Sequence, residues 1–235
     1  MNVVMAVSAA DGGPGRMRQY RGVLLRVVSA AVLGPLAFAA IWYGFPWLDL
    51  LAALAAPVMV SEVLRLTRGQ PIRRVLAIGY VLAAIVALLW LRHQPGLGRQ
   101  TVVWIVVCVW ATDIGAYVVG RSAGGAKLAP RISPGKTWSG LVGGMAWAAV
   151  GSAAVGWAFG VGETMSLALI GAALAVVDQL GDLLESAAKR RAGMKDSGTL
   201  IPGHGGLLDR VDGLVAVVVA VAMIRLFVGG TWPWT

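Results

Sequence analysis

Long apolar runs are the feature of this sequence that most constrains its fold. Runs close to the ~20 residues that cross a bilayer as a helix recur along the whole chain. Hydrophobic residues make up 58% of the 235 positions and charged residues only 13%, so a water-soluble domain of this size would lack polar residues to cover its surface. The sequence therefore predicts an all-α, polytopic transmembrane protein. Its seven spans are predicted near residues 24–43, 48–64, 75–91, 101–120, 139–160, 164–185 and 211–229.

Basic residues flank alternate spans of this predicted bundle. They cluster before the first span and after the second, fourth and sixth spans, whereas the turns GFPW and GVGE and the C-terminal TWPWT contain none. Because cytoplasmic loops carry the excess of Lys and Arg, the pattern predicts a cytoplasmic N-terminus and an outside C-terminus. It also accounts for the net charge of +9 without nucleic acid as a partner. Arg225, near the outer end of the last span, is expected to snorkel to the interface.

The chain divides at about residue 100 by the character of its loops. Residues 1–20 are predicted to form a tail, residues 21–100 three spans with ordinary loops, and residues 101–235 four spans that carry the chemistry. Most of the 11 acids lie in this last part. Its two long loops, 121–138 and 186–210, are rich in Gly, Pro, Ser, Lys and Arg, a composition that beside a membrane favours substrate handling.

The sixth predicted span carries a line of charges. Asp178, Asp182, Glu185 and Lys189 are spaced by four, three and four residues, which places them on one helical face. Charges facing lipid would be very costly, so this face is predicted to meet the protein interior or water, either as buried ion pairs or as a site. Asp113, on the fourth span, lies at a similar depth, near the inner headgroups. That depth favours chemistry on a lipid headgroup over a transporter, whose coupling acids usually lie near the midplane.

The loop that follows this span interleaves cations, glycines and acids, and each type has a role if the substrate carries phosphates. Cations neutralise phosphate oxygens, glycines let backbone N–H groups approach an anion, and carboxylates bind Mg²⁺ together with substrate phosphates. In combination they predict metal-assisted phosphoryl or nucleotidyl transfer. The residues are the cations Lys189, Arg190, Lys195 and Arg210, the glycines Gly203, Gly205 and Gly206, and the acids Asp182, Asp196, Asp209 and Asp212.

Three other kinds of site are excluded by the residues present. The run PRISPGKTW contains GKT, but Pro130 stands where a phosphate-binding P-loop needs glycine. Cys108 is the only cysteine, so no disulfide forms within one chain. His204 is one of two histidines, which excludes a histidine zinc site; its role as a base or as a loop-shaping residue stays open.

At this point the motifs resemble those of the phosphatidate cytidylyltransferase, or CDP-diacylglycerol synthase, family. The resemblance rests on SAAKR from Ser186, KD from Lys195, PGHGG from Pro202 and DRVD from Asp209. An upstream block, ATDIGAYVVGR followed by KLAPRISPGKTWSG, is similar to a second motif of the same family. The similarity covers roughly residues 100–215. Members of the family are usually longer, with additional spans, which leaves the arrangement of the N-terminal region open.

The resemblance implies that the phosphate of phosphatidic acid attacks the α-phosphorus of CTP, giving CDP-diacylglycerol and pyrophosphate. It implies Mg²⁺ as cofactor and membrane lipid as partner; a second cation such as K⁺ and a homodimer are left open. The protein would lie in a bacterial-type inner membrane with its active site facing the cytoplasm. The candidate metal ligands are Asp182 and Asp209, supported by Asp178, Asp196 and Asp212. The candidate catalytic residues are Lys189, Lys195, Asp196, His204, Arg210 and Asp212. The candidate substrate-binding residues are Asp113, Tyr117, Arg121, Ser133, Lys136, Thr137, Ser186, Arg190, Gly205 and Gly206.

Two other functions remain as alternatives at this stage. A CTP-dependent kinase acting on a lipid alcohol would use the same nucleotide but transfer the γ-phosphoryl group and release CDP. A membrane transporter would move its substrate without consuming CTP.

The charge pattern makes a prediction about topology that cysteine accessibility labelling can check. Single cysteines placed in residues 66–74, 121–138 and 187–208 should react only from the cytoplasmic side, because the basic loops are retained there. Cysteines in the C-terminal TWPWT should react from outside. Labelling of the C-terminus from the cytoplasm would contradict the seven-span topology.

Overall fold

The computed structural model describes residues 31–198 and 205–234. This part of the chain is almost entirely helical, with one small antiparallel hairpin between the fourth and fifth helices. The helices are α1 (Ala31–Tyr43), α2 (Trp47–Leu66), α3 (Pro71–Arg92), α4 (Gly98–Ala123), α5 (Trp138–Phe159), α6 (Thr164–Arg191) and α7 (Leu208–Val228), and the strands are β1 (Lys127–Ala129) and β2 (Ser133–Thr137). The all-α, polytopic prediction is confirmed.

Six of the predicted spans correspond to helices in the described residues. Helices α2 to α7 are each long and apolar enough to cross a bilayer. The first predicted span, 24–43, is described only from residue 31, where α1 is apolar but short. The predicted tail, 1–20, lies outside the described residues. The total span count, the orientation of the N-terminus and the division into three regions stay predictions.

Helix α4 lies at the centre of the larger hydrophobic core. Its first half is the most completely buried segment of the described chain, with Val102, Trp104 and Ile105 all inaccessible. The helix packs against α5, α6 and α7. The Trp104 ring makes edge contacts with the rings of Trp232 and Trp234. A helix covered on several sides in this way fixes the positions of the three helices around it.

Glycines allow α4 and α5 to approach closely. A Cβ atom added to Gly115 of α4 would lie 2.6 Å from the Trp147 Cβ and 2.8 Å from the Gly143 carbonyl oxygen of α5. A Cβ on Gly140 would lie 2.9 Å from the Ala116 carbonyl, and one on Gly144 3.0 Å from that of Thr112. The small residues of α5 thus serve close helix packing, as is common for helices in lipid.

A second core joins the N-terminal helices to the start of α7. Met59, Val63 and Leu66 of α2 pack with two residues of α3 and with Leu208 and Val215 of α7. Because Leu208 is the first residue of α7, this core stabilises the junction between α7 and the loop that precedes it. The N-terminal pair α2–α3 is therefore part of the support of that loop.

Arg225 is buried within the protein, whereas its side chain was expected to extend to the membrane interface. It is only 5% exposed, and its Nη1 lies 3.5 Å from the Thr101 Oγ1. The same hydroxyl accepts a hydrogen bond from the Trp234 Nε1 at 3.0 Å. The segment after α7 thus folds back to the start of α4, where Trp234 and Arg225 share the Thr101 hydroxyl.

The contact at Gly115 predicts a packing defect on substitution. Gly115→Ala should lower the free energy of unfolding by about 1–3 kcal/mol, because the added methyl collides with Trp147 and the α5 backbone. Unfolding can be followed by thiol labelling of Cys108, the only cysteine of the chain and fully buried.

Gly79→Ala in α3 is the matched control, since a Cβ there has no atom within 4 Å. Equal stability of the two variants would contradict the packing role given to Gly115.

Candidate active site

The charged face of α6 forms as its spacing predicts. Helix α6 runs unbroken through Asp178, Asp182, Glu185 and Lys189 to Arg191. Asp178 is buried and the other three are half-buried. Two contacts run along the face: the Ser186 hydroxyl donates to the Asp182 Oδ1 at 3.1 Å, and the Lys189 Nζ lies 3.3 Å from the Glu185 Oε2. The face is thus a polar strip on a membrane helix, covered by other parts of the protein.

The β-hairpin brings a lysine to this strip. Lys136, on β2, places its Nζ 2.5 Å from the Asp182 Oδ2 and 2.9 Å from the Gln179 Oε1. The strands β1 and β2 pair antiparallel, and a Cβ on Gly120 of α4 would lie 2.9 Å from the Thr137 Oγ1 at the end of β2. The buried Thr137 accepts the Gly140 N–H at 3.0 Å and caps α5. The loop predicted to close over substrate therefore reaches the acids through Lys136.

A second lysine links α6 to α7. The Lys189 Nζ donates to the Asp209 Oδ1 at 2.8 Å, and both side chains are largely buried. Asp209 also accepts the backbone N–H of Ser197, at 2.9 Å to Oδ2, and that of Gly206 at 2.8 Å. Asp209 therefore holds the two ends of the loop after α6 while it pairs with Lys189.

Further carboxyl groups from α4 and α7 converge on the same place. Asp113 lies within electrostatic range of Asp182 and Asp212, and Glu185 lies within electrostatic range of Asp212. Carboxylates at such range repel each other unless a proton or a cation lies between them. Buried oxygens of Asp178 and Glu185 have no hydrogen-bond partner in the described part of the chain.

A glycine lets α7 pass over this cluster. A Cβ on Gly213 of α7 would collide with the Asp178 carboxylate of α6. The Gly213 N–H donates to the Asp212 Oδ1 at 2.8 Å. Only glycine at this position allows α7 to carry Asp212 next to the acidic face of α6.

The remaining predicted site residues lie around the rim. Tyr117 and Arg121 are exposed on the last turns of α4, and Ser133 is half-buried at the start of β2. The Arg190 Nε lies 3.4 Å from the Ile132 carbonyl, which ties α6 to the hairpin. His204 lies outside the described residues. Lys195 and Asp196 are exposed in the loop after α6, where Gly205 lies at a φ of +84°, and Arg210 is exposed on the first turn of α7.

Sequence reasoning missed two residues of this site. Gln179 accepts a hydrogen bond from Lys136, and Glu62 of α2, buried to 2% exposure, accepts three hydrogen bonds from the loop after α6. Glu62 could have been found, because a glutamate inside an apolar span is functional by default. The prediction gave residues 21–100 ordinary loops only and did not consider this acid.

Comparison with known proteins identifies the family. A sequence model described as "Cytidylyltransferase family" matches residues 69–228, which include α6, α7 and the loop between them. The chain belongs to the cytidylyltransferase family. The predicted resemblance is confirmed at the level of the family.

Similar proteins named phosphatidate cytidylyltransferase occur in several bacteria. One from Brucella suis is 46% identical over 160 residues, which cover 68% of this chain and 57% of that protein. One from Pseudomonas aeruginosa is 38% identical over 221 residues, covering 93% of this chain and 80% of the relative. One from Rickettsia bellii is 33% identical over 222 residues, covering 92% and 94%. The chain thus aligns with less than two thirds of the Brucella protein but with nearly all of the Rickettsia one.

The double role of Lys189 predicts a large effect on stability. Lys189→Met should lower the free energy of unfolding by about 3 kcal/mol, because it leaves Asp209 and Glu185 buried without their cation. Thiol labelling of Cys108 during thermal unfolding measures the change.

Lys127→Met is the matched control, since Lys127 is exposed on β1 and forms no ion pair within the described residues. A loss of stability as large in Lys127→Met would contradict the specific role of Lys189.

Proposed function

We propose that this protein transfers a cytidylyl group from CTP to phosphatidic acid, forming CDP-diacylglycerol and pyrophosphate. The observation that carries the proposal is the pairing of Lys136 and Lys189 with Asp182 and Asp209, residues of the segment aligned with the cytidylyltransferase family. Relatives that align with this segment are named phosphatidate cytidylyltransferase. A lipid substrate is consistent with a site carried by helices that are long and apolar enough to cross a membrane.

The reaction is an exchange of phosphate esters. An oxygen of the phosphatidic acid phosphate forms a bond to the α-phosphorus of CTP, and the bond from that phosphorus to the bridging oxygen of the β-phosphate breaks, so pyrophosphate leaves. The attacking phosphate is already ionised at neutral pH, so no strong general base is required. The residues must instead bring two polyanions together and stabilise the charge that develops between them.

The two lysines are suited to that task. Asp182 holds Lys136 and Asp209 holds Lys189, so their ammonium groups are positioned before substrate arrives. Exposed cations at the rim would meet the phosphates first. We assign this role to Arg121, Arg190, Lys195 and Arg210.

Mg²⁺ fits the carboxylate cluster. The acids near α6 and α7 outnumber the two lysines that pair with them, and the partnerless oxygens of Asp178 and Glu185 favour a bound positive charge. No group of three metal-binding side chains is preformed within residues 31–198 and 205–234. We propose Asp182 and Asp209 as ligands, with Asp212 beside them. Bound there, Mg²⁺ would neutralise phosphate charge and orient the nucleotide.

The location of the site supports a cytoplasmic orientation in a bacterial inner membrane. Lys136, Lys189 and the loop after α6 lie at the ends of helices that the basic loops predict to be cytoplasmic, where CTP is available.

Size measurement of the purified protein in detergent would decide between a monomer and a homodimer.

The test uses the full chain in detergent with phosphatidic acid and CTP labelled at either the α- or the γ-phosphate. Cytidylyl transfer places the α-label in the lipid and the γ-label in pyrophosphate. A lipid kinase would instead place the γ-label in the lipid and release CDP. Label from the γ-phosphate in the lipid, or no labelled lipid from either nucleotide, would refute the proposal.

The metal assignment predicts a specific pattern of mutant activity. Asp182→Asn and Asp209→Asn keep the size of the side chain but remove a charge, so each should abolish Mg²⁺-dependent transfer. Their effects should be strongly non-additive, because both residues serve one ion. A Mg²⁺-induced rise in the melting temperature should also disappear in each variant.

Asp49→Asn is the control for this series, because Asp49 lies on α2 beside His93 and contacts no residue of the site. Near-normal activity of either site variant across a Mg²⁺ titration would remove that residue from the ligand set.

A further inference from the structure

Glu62 is an acid of the N-terminal region that reaches into the loop after α6. Its Oε2 accepts the Ser197 hydroxyl at 3.0 Å and the Leu208 N–H at 2.8 Å, and its Oε1 accepts the Leu207 N–H at 2.8 Å. No lysine or arginine pairs with it among the described residues. Since the described donors to this buried carboxylate are one hydroxyl and two backbone N–H groups, its contacts fix the backbone between α6 and α7.

The start of α7 lacks a cap of its own. Leu207, the N-cap residue, has an apolar side chain and makes no capping hydrogen bond. The first N–H groups of a helix have no partner within the helix and need an acceptor. Glu62 supplies that acceptor from a position 145 residues earlier in the chain, where its negative charge also meets the positive end of the helix dipole.

Glycines in the loop are fitted to this carboxylate. A Cβ on Gly198 would lie 2.6 Å from the Glu62 Oε1, and one on Gly206 would lie 2.8 Å from the Glu62 Cδ. Glycine at both positions lets the two ends of the loop approach Glu62 together. The close fit indicates that this docked arrangement is specific.

The same two loop ends are also held by Asp209. Ser197 donates its hydroxyl to Glu62 and its N–H to Asp209, and the Gly206 N–H donates to Asp209 next to the Leu207 N–H on Glu62. The two carboxylates therefore hold the same two places in the backbone, Ser197 and the Gly206–Leu207 pair. Movement of Ser197 away from Glu62 would also change the position of Asp209 and of its partner Lys189.

We infer that Glu62 is a positioning residue for the transfer reaction, which holds Asp209 and Lys189 in place through Ser197 and the first turn of α7. The inference rests on the proposed function. It assigns to α2 a role in catalysis without contact with substrate.

Glu62→Gln tests the inference in the full chain. The amide replaces one acceptor oxygen by an NH₂ group that faces N–H or O–H donors, so the docked loop loses a hydrogen bond. We expect kcat per folded molecule to fall about tenfold or more, with the KM for phosphatidic acid unchanged, because the loop is displaced and the lipid contact is not. Ser197→Ala should lower kcat in the same way, and the double variant should be no worse than Glu62→Gln alone.

Glu163→Gln is the matched control. Glu163 also caps a helix, accepting the Met165 N–H at 3.0 Å at the start of α6, but it lies at the end away from the acids. Glu163→Gln should leave kcat unchanged. A variant with both substitutions should therefore show the same loss of kcat as Glu62→Gln alone.

The outcomes separate this inference from the proposed function. Failure of the unsubstituted protein to form CDP-diacylglycerol would refute the proposed function; the Glu62–Ser197 coupling would then be measured by thermal unfolding, where an additive double variant would overturn the docking. If the unsubstituted protein is active, unchanged kcat in Glu62→Gln would overturn the positioning role. Equal loss of kcat in Glu163→Gln would overturn it as well.

Discussion

The arrangement of this site depends on the cost of placing charge at the edge of a low-dielectric region. Each carboxylate on the α6 strip must find a cation or a donor, because an unpaired charge beside apolar helices is strongly unfavourable. Lys136 satisfies Asp182 and so draws the β-hairpin onto α6. Lys189 satisfies Asp209 and so draws the start of α7 toward the same helix. The charges proposed to serve the chemistry are thus also the contacts that bring the loops together.

Charge pairing at such short range requires backbones that come close to each other. Gly213 allows α7 to lie against Asp178, and Gly181 does the same from α6, since its Cβ would lie 2.9 Å from the Asp212 carbonyl. Larger residues at these positions would separate the helices and leave the acids of α6 and α7 apart. The glycines therefore set the short distance between the helix backbones, and the charged residues of the site interact across that distance.

The sequence predicted those parts of the site that follow from local periodicity. Asp178, Asp182, Glu185 and Lys189 share a face because a helix repeats every 3.6 residues, and that regularity is visible in one segment. The contact between Lys136 and Asp182 joins residues 46 positions apart, and no local pattern encodes it. The contacts of Glu62 are not encoded locally either. Its partners lie in another third of the chain and are mostly backbone N–H groups, which give no sequence signal.

The contacts of Glu62 also bear on how the chain divides. Residues 101–235 contain the acids and cations of the proposed site, so they could be taken as a unit that works alone. However, apolar residues of α2 pack against Leu208 at the start of α7. The carboxylate of Glu62 also caps α7, which carries Asp209 and Asp212. A catalytic loop whose ends are held from outside this region cannot take up the same geometry without it. The described N-terminal helices are therefore required for the arrangement of charge on which the proposed chemistry rests.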